Sequence, residues 1–231
     1  MELFLDSADS REIENWLGQG VIDGITTNPS ILLKDGAYDY QQAAARLCKL
    51  SGSRPVSVEV TTNQPAQMLQ QARELAAISP NIVIKIPVVN ERGESCLGAM
   101  HGLSAEGIRV NATALLSFNQ AMLSVKAGAA YVSLFAGRIA DEGHDPAVVV
   151  KQVRGWLDDW GYTAKIIVGS IRSVIDVQNA ALAGAHIITI PPQFLPKMVD
   201  HQYTRETVRQ FVADAEKALA HAGSAIRGVI A

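Results

Sequence analysis

Eight short runs rich in β-branched residues recur along this sequence, and a longer stretch with apolar residues three and four apart follows each of them. The runs are ELFLD (2–6), IDGITTN (22–28), PVSVEV (55–60), NIVIKIP (81–87), IRVNATA (108–114), AYVSLFA (130–136), AKIIVGS (164–170) and HIITIP (186–191). Stretches such as 65–79 and 145–161 read as amphipathic helices. Strand starts lie roughly 20 to 35 residues apart, the size of one βα unit, and nothing in between resembles a linker or a composition shift. Eight such units predict one (β/α)8 TIM barrel domain over 1–231, an α/β fold, with residues 204–222 forming an additional C-terminal helix. A doubly wound open sheet is the alternative, but the GxGxxG fingerprint of its dinucleotide-binding version is absent.

The punctuation fits this alternation. Gly107, Gly128, Gly161 and Gly184 each stand just before a strand, where a left-handed helix cap is expected. Asp9 and Glu12 have capping-box spacing, and Asp145 followed by Pro146 is a helix start. In the last helix Val208, Phe211, Val212, Ala215 and Leu219 share a face, suited to lie over the barrel or over a neighbouring subunit.

Composition narrows the function. The chain has 231 residues, 48% of them apolar and 19% charged, with net charge −3 and no basic stripe, so nucleic acid and anionic membrane are poor partners. The first ten residues, MELFLDSADS, lack a basic region followed by an apolar stretch, and no consecutive apolar run reaches the roughly 18 residues of a membrane span; the expectation is a cytoplasmic protein. Cys48 and Cys96 stand apart without metal-ligand or redox spacing and read as reduced thiols.

Alternate residues of a barrel strand point inward. Parity then assigns Val56, Val58 and Val60 outward with Ser57 and Glu59 inward, Ile82, Ile84 and Ile86 opposite Val83 and Lys85, and Val110, Ala112 and Ala114 opposite Asn111 and Thr113. Tyr131, Ser133 and Phe135 share a face, Asp6 opposes Leu3 and Leu5, and the second strand adds Thr26 and Asn28. The inward sets turn polar towards the C-terminal strand ends, where barrel active sites are built. Any one of these residues taken alone is more often a satisfied structural group than a functional one; as a set they form a constellation, and the reading reverses.

Lys85 is the sharpest member. Desolvation in an apolar strand favours the neutral amine, which attacks carbonyls to form a Schiff base, an electron sink that needs no metal or organic cofactor. Glu59 and Asp6 oppose that effect by favouring the ammonium, and the alternative is a side chain that snorkels out of the mouth. Lys165 opens its strand at the opposite, stability end and is assigned no chemical role. Phosphate sites of such barrels lie near the later strands, where Arg138, Ser170 and Arg172 offer an anion clamp; surface salt bridges are the competing explanation for the arginines.

The segments FLDSAD, GITTNPSIL, VIKIPV, VNATALLSFNQAMLSVKAGAAYVSLFAGRI and VGSIRS resemble those of the small transaldolases and the related fructose-6-phosphate aldolases, and the resemblance runs over nearly the whole chain. It implies a cofactor-free and metal-free enzyme in which Lys85 forms a Schiff base with a ketose phosphate. By the same resemblance Asp6 exchanges the C4 hydroxyl proton, and Glu59 and Thr113 hold the water of carbinolamine chemistry. Asn28, Asn111 and Ser133 would bind the dihydroxyacetone unit, in a pocket that Thr26 and Phe135 help line. Arg138, Ser170 and Arg172 would bind the phosphate. Glu59 and Phe135 match transaldolases, where the aldolases carry glutamine and tyrosine. AGRI, GSIRS and the strand exit TIPPQFL depart from common family patterns. The resemblance also implies a homo-oligomer, a pentamer or decamer. Three functions follow: a transaldolase passing dihydroxyacetone from sedoheptulose 7-phosphate or fructose 6-phosphate to an aldose phosphate, a lyase releasing free dihydroxyacetone, or a non-covalent sugar-phosphate binding barrel.

Overall fold

The computed structural model describes residues 1–229, with side chains described through His221. Its strands are β1 (Glu2–Asp6), β2 (Gly24–Thr26), β3 (Val56–Glu59), β4 (Ile82–Pro87), β5 (Val110–Leu115), β6 (Tyr131–Phe135), β7 (Lys165–Gly169) and β8 (Ile187–Ile190). Each pairs in parallel with the next and β8 pairs with β1, so the sheet closes into the expected barrel. The helices between them are α1 (Ser10–Gly18), α2 (Pro29–Lys34), α3 (Tyr40–Ser51), α4 (Pro65–Ala76), α5 (Leu97–Ala105), α6 (Phe118–Lys126), α7 (Ala136–Asp141), α8 (Pro146–Asp159) and α9 (Val174–Leu182). The residues fall into two compact units, Met1–Pro192 with the barrel and a second from Gln193 onward. The second unit holds α10 (Leu195–Val199) and α11 (Gln202–Val229). Helix α11 thus starts two residues before the expected 204 and runs past 222, and its Val208, Phe211, Val212 and Leu219 are exposed. Among the described residues no helix is long and apolar enough to cross a membrane.

Local signals explain the boundaries. Proline occupies the first turn of α2, α4 and α8, where its missing N–H costs nothing. Asp9 caps α1 by accepting from the Arg11 and Glu12 amides, but Glu12 turns its carboxylate to the Trp16 indole instead of back to the cap, so the reciprocal half of that capping box does not form. A complete capping box stands at α9, between Ser173 and Asp176. The four expected cap glycines all adopt positive φ. Strand β2 is shorter than the sequence run because Asn28, its expected last residue, accepts from the Ile31 amide and caps α2.

Outward-facing Val56, Val58, Ile84, Ile86, Val110, Val132, Leu134, Ile166 and Val168 are at most 1% exposed, and each contributes up to about 1.5–3 kcal/mol by leaving water. Inside the barrel Phe4, Ile167 and Ile187 form an apolar plug with Tyr131 against it. Gly24 makes room for that plug, since a Cβ there would lie 2.6 Å from the Phe4 ring, and Gly24→Ala would force the ring to shift. The plug closes the barrel's lower interior and leaves the C-terminal mouth as the open end.

Parity fails at one place. Between Ala112 and Leu115 the β5–β6 register shifts, and Ala114 takes a left-handed φ of 59°. The expected outward Ala114 therefore lines the mouth instead of facing the helices.

Candidate active site

Strand register sets Glu59, Lys85 and Asn111 side by side on β3, β4 and β5, and Asp6 beside Thr26 on β1 and β2. Of these, Asp6, Thr26, Glu59 and Lys85 line the mouth, where a cavity of about 390 Å³ is also lined by Asn28, Ser133, Phe135, Arg138 and Ser170. Nine of the twelve residues singled out from sequence thus share one space.

Lys85 is 4% exposed. Its ammonium donates to the Thr27 carbonyl at 2.8 Å and lies 3.2 Å from Glu59 Oε2. It therefore does not snorkel; a buried cation is held by one carbonyl and one carboxylate. Asp6 accepts from the Thr26 hydroxyl at 2.7 Å. Burial raises the Asp6 carboxyl above the ordinary aspartate range, against the opposing pull of Lys85. A carboxyl raised this way is a stronger base once ionised.

Asn111 and Thr113 are fully buried beside the cavity. Ser133 donates to Asn111 Oδ1 at 2.7 Å, and Asn111 Nδ2 donates to Ser57 at 3.2 Å, so the amide's orientation is fixed from both sides. Thr113 Oγ1 has no hydrogen-bond partner in the protein, which leaves a buried hydroxyl able to serve a small polar guest.

The anion side differs from expectation. Arg138 and Ser170 line the mouth, but Arg172 does not; its guanidinium forms a two-pronged ion pair with Asp141, holding that carboxyl below its usual range. Arg172 lines a separate cavity of about 260 Å³, together with Asp176, Asp145 and Val150. The cause is local: α7 ends with Asp141 next to the β7 exit, and the start of α9 fixes the Arg172 amide on Asp176. The two loops pass so closely that a Cβ on Gly137 would lie 2.6 Å from Arg172 Nε and 2.5 Å from the Ser170 carbonyl. Ser170 itself is left-handed, φ 57°. Ala114 and Ser170 are the non-glycine residues with positive φ among those described, and both line the mouth, the usual place for stored backbone strain.

Three participants were not picked out from sequence. Thr189 of β8 lines the mouth, 5% exposed, and its hydroxyl hydrogen-bonds that of Thr26. Strand parity carries it, because Thr189 is the polar side chain in an otherwise aliphatic strand. Tyr40, at the start of α3, donates to the Glu59 carbonyl, and burial pushes its phenol up; nothing in the local sequence announces that contact. The Thr27 carbonyl is backbone and leaves no side-chain signal.

The sequence model for transaldolase/fructose-6-phosphate aldolase matches residues 3–227. The chain is 40% identical to a probable transaldolase of Dehalococcoides mccartyi over 93% of this chain and 97% of that one. It is 41% identical to a probable transaldolase of Geotalea daltonii, covering 94% and 99%, and 39% identical to probable transaldolase 2 of Listeria monocytogenes, covering 94% and 96%. A crystal structure of 2,3-dimethylmalate lyase, of the PEP mutase/isocitrate lyase superfamily, superposes with a TM-score of 0.60 at 16% identity, over 93% of this chain and 83% of that chain, a likeness of fold alone. The chain belongs to the transaldolase/fructose-6-phosphate aldolase family.

Proposed function

We propose that this protein is a transaldolase that carries a dihydroxyacetone unit on Lys85 from a ketose phosphate to an aldose phosphate. The observation that carries the reading is a buried lysine amine within 3.2 Å of a carboxylate, facing a polar cavity that also holds a second carboxylate.

Glu59 takes a proton from the Lys85 ammonium, directly or through water, and the freed amine adds to the ketone carbon. The carbinolamine loses its hydroxyl as water, with Glu59 supplying the proton and Thr113 holding the water, and an iminium remains. Asp6 removes the C4 hydroxyl proton. The C3–C4 bond then breaks, its electrons pass to the iminium nitrogen as an enamine, and an aldose phosphate leaves. In the second half the enamine carbon attacks the acceptor aldehyde, and Asp6 returns its proton to the new alkoxide. Water hydrolyses the iminium, releasing the new ketose and the amine. Asn28, Asn111 and Ser133 bind the dihydroxyacetone hydroxyls. Arg138 and Ser170 bind the phosphate, while Arg172 joins them only by exchanging Asp141 for the ligand.

Glu59 and Phe135 favour transfer over release. Phe135 lacks the hydroxyl that would place a water for protonating and freeing the enamine, so the enamine waits for an acceptor. The protein works among sugar phosphates in the cytoplasm and assembles as a homo-oligomer.

The test is intact mass and peptide mapping after incubation with fructose 6-phosphate and borohydride, with erythrose 4-phosphate added to a parallel sample. A reduced dihydroxyacetone adduct on Lys85, depleted by the acceptor, is expected. Free dihydroxyacetone released without acceptor would reassign the protein as a lyase. No adduct with any ketose phosphate would leave a non-covalent binding barrel.

A further inference from the structure

We propose that Thr189 is a positioning residue that sets the basicity of Asp6 through a two-hydroxyl chain across three strands. Asp6, Thr26 and Thr189 stand on β1, β2 and β8, neighbours at the seam where the barrel closes. Thr26 donates to Asp6 Oδ1 at 2.7 Å and is hydrogen-bonded to Thr189.

Proton count decides how the chain runs. A hydroxyl has one proton, and an ionised carboxylate only accepts. With Asp6 charged, Thr26 must spend its proton on Asp6, so Thr189 is the donor to Thr26. With Asp6 protonated on Oδ1, the chain can run the other way, from Asp6 through Thr26 to Thr189. Both hydroxyls stay satisfied in either state, which suits a group that takes a proton in one half-reaction and returns it in the other. The two states are not equal in energy: a hydrogen bond ending on a charge is roughly twice as strong as a neutral one, and chained bonds reinforce one another. The chain therefore favours the charged form, offsetting part of the desolvation that raises the Asp6 carboxyl.

The Thr189 hydroxyl is turned to Thr26 on β2, and its methyl lies on the β7 side, 3.3 Å from where a Cβ on Gly169 would stand. Thr189→Val keeps a β-branched side chain of the same shape and removes the hydroxyl. The other charged groups acting on Asp6 are Lys85 of β4, Glu59 of β3 and Asp35 after α2, and the substitution touches none of them.

The functional consequence rests on the reading of Asp6 as the base, but the effect on its ionisation does not. The deciding experiment is a pH titration of the Asp6 carboxyl by ¹³C NMR on aspartate-labelled protein, assigned with Asp6→Asn. It is run on wild type, Thr189→Val, Thr189→Ala and Thr189→Ser, each checked for folding by circular dichroism. Val and Ala should raise the Asp6 midpoint by about half a unit or more, and Ser, which keeps the donor, should restore it. In turnover, the acid limb of kcat/KM should move up by the same amount, so the loss in Thr189→Val should reach about threefold or more below the wild-type midpoint of that limb and disappear well above it. Superimposable titrations for wild type, Val and Ala would overturn the proposal. Failure to trap a Lys85 adduct would instead overturn the Schiff-base reading, and the titration would still decide the role of Thr189.

Discussion

The barrel interior holds a lysine–carboxylate pair at each end, and the two differ in everything except chemistry. At the mouth Lys85 and Glu59 stand 3.2 Å apart with side chains 5% and 19% exposed; at the opposite end Lys165 pairs with Glu2, with side chains 43% and 34% exposed. Phe4, Ile167 and Ile187 plug the interior at the lower end. The lower pair has solvent around it, and the Glu2 carboxylate raises the Lys165 ammonium above the ordinary lysine range, which stabilises a proton that catalysis would need to remove. The upper pair shares a cavity with Asp6, a chain of hydroxyls and two strained backbone positions. An inward lysine beside a carboxylate is thus no site by itself; depth, a cavity and a second titratable group make the difference.

The largest effect that could break this comparison is on turnover. Lys85→Met should abolish adduct formation and lower kcat by more than about 10³-fold, while Lys165→Met should leave kcat within about twofold. Steady-state kinetics with fructose 6-phosphate and erythrose 4-phosphate checks both. Equal losses would mean that the two pairs serve the fold alike.

Asp6 sharpens the contrast through pH. Asp6→Asn should cost about 10² to 10⁴-fold in kcat by removing the base. Its effect on stability runs the other way. Because burial raises the folded-state Asp6 carboxyl, the native protein binds this proton more tightly than the unfolded chain, and stability falls as pH rises from about 4 through the folded value. Asp6→Asn should then melt above wild type at neutral pH, with the gap closing below about pH 4. Thermal scans against pH check the sign. A mutant less stable at neutral pH would show that Asp6 is held mainly for structure.

Sequence periodicity carried the upper constellation because a closed parallel barrel turns alternation into direction. Asp6, Thr26, Glu59, Lys85 and Ser133 reached one cavity from five strands on that rule alone. It stops where the backbone stops alternating: the register shift in β5 turns Ala114 into the mouth, and Asn28 leaves its strand to cap α2. It is also blind to contacts that only loops make. Arg172 was assigned to the anion clamp by its place after β7, yet Asp141, 31 positions away, holds it, and Tyr40 reaches the Glu59 carbonyl across a span of 19.

A smaller effect separates transfer from release. Glu59→Gln with Phe135→Tyr should raise dihydroxyacetone release relative to transfer by about 2- to 10-fold, the range that one positioned hydrogen bond supplies. The matched change at the lower end, Glu2→Gln with Tyr131→Phe, should leave that ratio unchanged. Product analysis with and without acceptor measures both. A ratio that moves with the lower pair would mean that partitioning follows general loosening of the barrel, not a water placed at the mouth.

The smallest effect is on the lower pair itself. Lys165 and Glu2 are both about a third exposed or more, so solvent screens their attraction, and Lys165→Met should change stability by at most about 1 kcal/mol, a shift of about 2–4 °C in Tm. The sign depends on pH in a way that identifies the pair. A lysine raised in the folded state contributes stability below its unfolded value, and that contribution is lost as pH rises through the higher folded value. Any deficit of Lys165→Met should therefore be constant from pH 6 to about pH 9 and be lost as pH rises through the raised folded value, above the ordinary lysine range, and added salt should shrink it. A deficit of several kcal/mol that ignores salt would mean that solvent does not screen the lower pair, and the distinction between the two ends of the barrel would fail.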